Sequence, residues 1–209
     1  MRVHAGVILV GGVGLPWLRD LDYGTQWINR MMADDWPEGV LLEDLSYGAH
    51  RVLHRFQELV LTRVVLVGCM PRDIDPPGTI RQYRLDLAPP PLAEVHDRLT
   101  EAVMGIIDLD HTLAVVRHWG GFPPDTVVVE VEPEDREFGL GFSETVEATV
   151  GAVAAIVRRE VNRPVGSTSE APAIVPPTAL MPPYAPSPNA AMFPPATRSV
   201  QGPSAGGAS

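Results

Sequence analysis

Three short runs rich in β-branched residues constrain the fold of this chain more than any other feature. They cover residues 3–10, 63–68 and 126–131. Each run is too short for a typical helix and is closed by glycine or by a Glu-Pro pair, a pattern typical of strands buried on both faces. Stretches with helical apolar spacing separate the runs. We therefore expect an α/β fold of three layers, α/β/α, around a mostly parallel, twisted sheet of about five strands.

Weaker patterns fill the space between these runs. Residues 39–43 form a short apolar segment that ends at Asp44, and residues 79–87 alternate in the manner of an edge or antiparallel strand. Three prolines at 89–91 open a stretch that we interpret as polar. Apolar residues at helical spacing after Ser143 predict a last helix that runs to about Val161.

The composition changes abruptly after this last helix. Half of the 22 prolines lie after Asn162, where they are mixed with alanine, serine and glycine. Such a segment cannot bury enough apolar surface to offset the entropy lost on ordering. We predict one folded domain at residues 1–161 and a disordered Pro/Ala/Ser-rich tail at 162–209.

Charge and cysteine content narrow the possible functions. A net charge of −10 argues against nucleic acid as a partner, because a phosphate-binding surface needs clustered Lys and Arg. No apolar run reaches the roughly 18 residues that a membrane-spanning helix requires. The single cysteine, Cys69, rules out an internal disulfide. These features predict a soluble, cytoplasmic protein.

The most informative motif follows the first predicted strand. It reads Gly-Val-Gly at 12–14, continues with Asp20 and ends at Gly24. Further landmarks follow at the ends of the other predicted strands: residues 44–48, Pro-Gly-Thr at 77–79, Glu-Pro at 132–133 and Gly-Leu-Gly-Phe-Ser at 139–143. This ordered set, over about residues 3–160, resembles the hydrogenase maturation endopeptidases. Those proteases trim the C-terminus of the [NiFe]-hydrogenase large subunit after nickel insertion.

The resemblance implies specific expectations at three positions. Members of that family sense the nickel of the immature large subunit through two acidic residues and a histidine. The matching positions here hold Leu21, Gly68 and Gly105. Leucine and glycine side chains cannot coordinate a metal, which needs N, O or S donors. The resemblance therefore implies a scaffold without the usual nickel-binding residues, with no cofactor of its own and with nickel only in the precursor.

Neighbouring residues could replace the missing ligands. A rebuilt metal site would use Asp22, Cys69 and His111, each close in sequence to a substituted position. The candidate catalytic residues are Asp20, Asp22, Asp44 and His111. A structural alternative is that Asp20 and Asp22 cap the first helix, and that Asp108 or Asp110 caps a later one.

Three functions stay open on this basis. The first is an accessory protein in [NiFe]-hydrogenase maturation, catalytically impaired, that binds a large-subunit precursor or another maturation protein. The second is an active C-terminal endopeptidase with a rebuilt site. The third is a non-enzymatic α/β interaction module that uses its tail. Whether the chain is an enzyme is undecided by the sequence.

Overall fold

The computed structural model describes residues 6–174, which form six strands, six α-helices and a short 3₁₀ helix at Arg19–Asp22. The strands are β1 (Val7–Val13), β2 (Val40–Asp44), β3 (Leu61–Cys69), β4 (Ile80–Leu85), β5 (Thr126–Val131) and β6 (Ala173–Ile174). The helices are α1 (Tyr23–Met31), α2 (Ala49–Glu58), α3 (Leu92–Val103), α4 (Leu109–His118), α5 (Glu144–Glu147) and α6 (Val150–Val161). None of these helices is long and apolar enough to cross a membrane.

All strands join one sheet in the order β2-β1-β3-β5-β4-β6. The four strands β2, β1, β3 and β5 are parallel, β4 is antiparallel to β5, and β6 is parallel to β4. The predicted α/β class with a mostly parallel sheet is confirmed. Because β1, β3 and β5 run in one direction, the loops that follow them meet at one edge, here called the carboxyl edge.

Alternate residues of the central strands supply two separate apolar cores. In β3, Val64 and Leu66 pack with residues of α2, α3 and α4, whereas Val65 and Val67 pack with residues of α1, α5 and α6. This division follows from the two-residue period of a strand, which sends neighbouring side chains to opposite faces. The sheet therefore lies between two helical layers.

The glycines of the first motif allow helix α1 to lie directly on strand β1. A Cβ atom on Gly12 would stand 2.1 Å from the carbonyl oxygen of Gly24, and a Cβ on Gly24 would stand 2.2 Å from the backbone nitrogen of Val13. Both distances are far below van der Waals contact. Glycine at both positions is therefore a packing requirement of the strand–helix contact, since any side chain would separate the two backbones.

One helix differs from the sequence analysis. Residues 92–103, interpreted as part of a polar stretch, form helix α3. That helix buries only Val95 and Arg98, while Leu92, Leu99 and Val103 are exposed. The apolar residues of α3 do recur at helical spacing, but most of them are exposed, so the interpretation as a polar stretch missed this helix.

The ordered structure continues beyond residue 161, the predicted end of the domain. The buried side chain of Arg63 donates hydrogen bonds to the carbonyl oxygens of Glu160 (2.6 Å), Arg163 (2.9 Å) and Pro164 (3.2 Å). The chain then reaches β6, which pairs with the end of β4. Residues 162–174 are thus part of the described fold, and residues 175–209 of the predicted tail lie outside the described residues.

Truncation tests the contribution of this segment. We expect a chain ending at residue 161 to be less stable than one ending at residue 174 by about 2–3 kcal/mol, because Arg63 loses two charged hydrogen bonds and β4 loses its neighbour. The melting temperature should fall by about 5–10 °C. Both variants lack residues 175–209, so the difference isolates residues 162–174. Equal thermal unfolding curves would contradict the prediction.

Candidate functional site

The carboxyl edge is built from three loops, which follow β1, β3 and β5 and are joined to one another. The backbone N–H of Gly139 donates to the carbonyl of Trp17 at 2.8 Å, and the N–H of Arg19 donates to the carbonyl of Gly139 at 3.3 Å. Arg136 forms an ion pair with Asp73, which links the loops after β5 and β3. Trp17 adopts a left-handed φ of 69°, unusual for a bulky residue. These contacts hold the edge in a single arrangement.

Asp20 is the hydrogen-bond acceptor at the centre of this edge. Its fully buried carboxylate accepts from the backbone N–H groups of Glu134 (3.0 Å), Asp135 (2.7 Å) and Ser143 (2.7 Å). A fourth bond comes from the hydroxyl of Ser143 at 2.8 Å. With four donors bound, the Asp20 side chain fixes the loop between β5 and α5.

Two of the three positions matched to nickel ligands are closed by apolar packing. Leu21 is 4% exposed. A Cβ on Gly68 would lie 3.1 Å from Cδ2 of Leu109, so the first residue of α4 occupies the space beside it. Leu109 itself is buried in the core under α4. The carboxyl end of β3 therefore presents packed hydrocarbon at this point.

Gly105, the third position, ends helix α3. It has a left-handed φ of 89°, its N–H bonds to the carbonyl of Ala102 (3.0 Å), and the N–H of Ile106 bonds to that of Glu101 (3.1 Å). These two bonds define a Schellman motif, in which glycine is the preferred residue. Helix α4 begins four residues later, with Asp108 as its cap: the Asp108 carboxylate accepts from the N–H of His111 at 2.8 Å.

Asp22 and Asp44 lie close together at the ends of β1 and β2. The hydroxyl of Thr25 donates to Asp44 at 3.4 Å and shares a 2.7 Å hydrogen bond with the hydroxyl of Ser46. The Asp22 carboxylate accepts from the side-chain amide of Gln26 at 3.1 Å. Burial raises the pKa of Asp22, and the neighbouring Asp44 adds to that rise. Asp22 stands at the N-cap position of α1, as the capping alternative predicts, but its side chain makes no capping hydrogen bond; Asp20 lies earlier, in the 3₁₀ helix.

Cys69, the last residue of β3, faces the side of the sheet that α1, α5 and α6 cover. It packs in the apolar core with residues of α1 and α6, and burial raises the pKa of its thiol well above the usual range. Gly68 precedes it on the strand and faces Leu109 in the opposite core. Since neighbouring strand residues point to opposite faces, the thiol of Cys69 points away from the side on which Gly68 faces Leu109.

His111 is buried, and both of its ring nitrogens are engaged. Nδ1 donates to the carbonyl of Arg98 (3.1 Å), and Nε2 accepts from the N–H of Ala49 (3.3 Å). This pattern fits the neutral ring, and burial lowers the pKa of His111. The structure thus does not bring Asp22, Cys69 and His111 together. Within residues 6–174, no group of three His, Cys, Asp or Glu side chains is arranged to hold a metal.

A buried charge network lies beside α4 and was not singled out from the sequence. The fully buried guanidinium of Arg72 binds Asp110 through two hydrogen bonds (2.7 and 2.8 Å) and Glu130 through two more (3.0 and 2.8 Å). Tyr83 also donates to Glu130, at 3.1 Å. The one sequence signal for this network is the position of Arg72, which follows the end of β3 by three residues and so predicts a place at the carboxyl edge. Because the partners come from three distant segments, no local pattern identifies them.

The similarity of the chain to known proteins differs between sequence and structure. No family model matches the sequence, and no curated protein is significantly similar to it. Several solved structures share its fold. The hydrogenase maturating endopeptidase HybD from E. coli aligns with a TM-score of 0.58 and 24% identity, over 75% of this chain and 94% of that one.

Two archaeal structures agree with this alignment. A hydrogenase 2 maturation peptidase from Thaumarchaeota archaeon SCGC_AB-539-E09 has a TM-score of 0.54 and 20% identity, over 75% of this chain and 98% of that one. The [NiFe] hydrogenase maturation protease HycI from Thermococcus kodakarensis has a TM-score of 0.50 and 14% identity, over 76% and 94%. The chain therefore has the fold of the hydrogenase maturation endopeptidases, as the sequence motifs predicted.

Removal of the Asp20 carboxylate tests its structural role. We expect Asp20→Ala to lower the free energy of unfolding by about 3–5 kcal/mol, because three backbone N–H groups and a hydroxyl lose a charged acceptor. Glu134→Ala, an exposed acid in the same loop, serves as the control and should change stability by less than about 0.5 kcal/mol. Urea unfolding measures both. Similar values for the two variants would show that Asp20 does not hold the edge.

The pH dependence of stability tests the neutral state of His111. The unfolded side chain titrates near pH 6.5, and its folded pKa is lower, so the unfolded chain binds the proton first as the pH falls. The stability that neutral His111 contributes is present above about pH 6.5 and is lost below it. We expect the free energy of unfolding to fall more steeply for the wild type than for His111→Gln between about pH 7 and 5, by up to about 1.4 kcal/mol per unit.

The control for this measurement is His54→Gln, which changes an exposed histidine on α2. Its profile should follow that of the wild type. The prediction is contradicted if His111→Gln and the wild type lose stability in parallel as the pH is lowered.

Proposed function

We propose that this protein acts in [NiFe]-hydrogenase maturation by binding a large-subunit precursor without sensing its nickel. The proposal combines the shared fold with the residues at three positions of that fold. It makes the protein an accessory factor that engages the precursor but does not cut it. The nickel ion belongs to the precursor, and this chain supplies no cofactor.

The packing of Leu109 against Gly68 carries the proposal. A Cβ at position 68 would lie 3.1 Å from Cδ2 of Leu109, so an aspartate there would require Leu109 to move, which supports the absence of a metal donor at the end of β3. Leu21 is buried, and Gly105 terminates α3. None of these three residues offers a donor to nickel.

The carboxyl edge also offers a surface suited to a protein partner. Trp17 and Phe138 are 57% and 79% exposed, and Leu140 is 70% exposed. They lie on the two loops that the Trp17–Gly139 hydrogen bond joins. Exposed apolar side chains held by a fixed backbone are typical of protein-binding surfaces. We infer that the precursor contacts this group, called here the apolar rim.

Binding of nickel-loaded and nickel-free precursor tests the proposal directly. The full chain is mixed with the large-subunit precursor from the native host, with and without nickel, and the affinity is measured by isothermal titration calorimetry. We expect both forms to bind with similar Kd values and the C-terminal peptide of the precursor to stay intact by mass spectrometry. Cleavage of the peptide would instead support an active endopeptidase.

Two tryptophans of equal exposure provide a matched pair of variants. Trp17→Ala should weaken precursor binding by about tenfold or more, since exposed tryptophans frequently dominate interfaces. Trp119, 55% exposed at the end of α4, lies away from the apolar rim, and Trp119→Ala should leave the Kd unchanged. If the precursor does not bind at all, or binds only through residues 175–209, the proposed function is wrong.

A further inference from the structure

Asp22 and Asp44, two neighbouring acidic side chains at the carboxyl edge, have no ion-pair partner among residues 6–174. Asp20 at the same edge also has no ion pair within this range, but four hydrogen bonds satisfy its carboxylate. Several other buried acids in this part of the chain are paired with arginines: Asp110, Glu130, Glu132 and Glu160. The two unpaired carboxylates are neighbours, joined through Thr25. The two carboxylates therefore concentrate negative charge at one point of the carboxyl edge, with no cation of the described chain paired with them.

The Asp22 carboxylate is also incompletely hydrogen-bonded. The residue is 8% exposed, its Oδ2 accepts from Gln26, and its Oδ1 is buried with no hydrogen-bond partner among the described residues. A buried acceptor left without a donor costs about 1–3 kcal/mol. Such an atom is stabilised when a donor arrives from outside the chain.

The surrounding hydroxyls are already occupied. Ser46 accepts from the N–H of Gly14 at 2.9 Å and shares a hydrogen bond with Thr25, while its own N–H donates to Asp44 at 2.9 Å. These bonds fix the position of Asp44, which is half-buried and open on one side. The site is thus a rigid pair of carboxylates, one deep and one near the surface, with a shortage of donors.

We propose that Asp22 and Asp44 bind a basic side chain, arginine or lysine, of a protein partner. The partner's N–H groups would donate to Oδ1 of Asp22 and to the Asp44 carboxylate, which supplies the missing donor and neutralises both charges. That the partner is a protein rests on the proposed function. A guanidinium fits better than a divalent cation, because within residues 6–174 no group of three His, Cys, Asp or Glu side chains is arranged to hold a metal ion, whereas one guanidinium can donate to two carboxylates.

A small probe tests the site without the precursor. The full ¹⁵N-labelled chain is titrated with N-acetyl-arginine methylamide and, separately, with the citrulline analogue, which has the same shape without the charge. We expect the arginine probe to shift the amide signals of Gly14, Thr25 and Ser46, and the citrulline analogue to bind about tenfold more weakly or not at all. Equal binding of the two probes, or no shift at these amides, would refute the proposal.

Charge-neutral variants identify the residues. Asp22→Asn and Asp44→Asn should each raise the Kd for the arginine probe by about tenfold, and Glu134→Gln, at the same edge, should leave it unchanged. In a parallel experiment, the labelled chain is titrated with MgCl₂ and with CaCl₂, and the same amide signals are followed. If either ion shifts the same amides and displaces the arginine probe, the site is a metal site and the proposal is wrong.

Thermal unfolding separates a binding role from a structural one. Asp22→Asn removes a buried unpaired carboxylate, so we expect a melting temperature equal to or above that of the wild type. A lower melting temperature would mean that Asp22 supports the fold, and would overturn the proposal. If both variants bind the precursor as the wild type does, the proposal for this site is wrong and the proposed function stands. If the wild type binds the arginine probe but not the precursor, the proposed function is wrong and the site stands.

Discussion

The buried carboxylate of Asp20 is the interaction on which the functional edge depends. It joins the first loop, after β1, to the last, between β5 and α5, through four hydrogen bonds. Backbone bonds between Trp17 and Gly139 follow the same path. Without this acceptor, the backbone N–H groups of Glu134, Asp135 and Ser143 would lose their hydrogen-bond partner. The apolar rim is held in place because this loop is fixed.

The same edge shows two different uses of buried acids. Asp110 and Glu130 neutralise Arg72 in a closed network, which adds specificity to the packing of α4 against the sheet. Asp22 and Asp44 have no such partner in the described chain. Because an unpaired buried charge destabilises a fold, its retention beside an exposed tryptophan is consistent with a role in recognition.

Two of the positions that the resemblance matches to metal ligands have structural roles in this protein. Where the resemblance would place an aspartate, Gly68 leaves room for Leu109, and α4 can approach the end of β3 closely. Where it would place a histidine, Gly105 closes α3 in a left-handed turn that a side chain would strain. Gly68 therefore serves the packing of α4 against the sheet, and Gly105 serves the turn that ends α3.

Much of the fold could be predicted from local patterns, because burial on both faces leaves β-branched runs and because Gly12 and Gly24 mark a close strand–helix contact. Helix α3 and strand β6 could not, since one buries little apolar surface and the other is two residues long. For the site, the sequence supplied the candidate residues Asp20, Asp22, Asp44 and His111. The resemblance added three positions matched to metal ligands, which are Leu21, Gly68 and Gly105.

The roles of those candidates were decided by tertiary structure alone. Asp20 meets Ser143 across 123 positions of sequence, Arg72 meets Glu130 across 58, and His111 meets Ala49 across 62. Whether a carboxylate is satisfied, paired or left unpaired depends on these distant partners. The sequence by itself determined the layers of the fold, because burial of the central strands on both faces leaves runs of β-branched residues. Only the folded chain decided which acids support the structure and which remain free to bind.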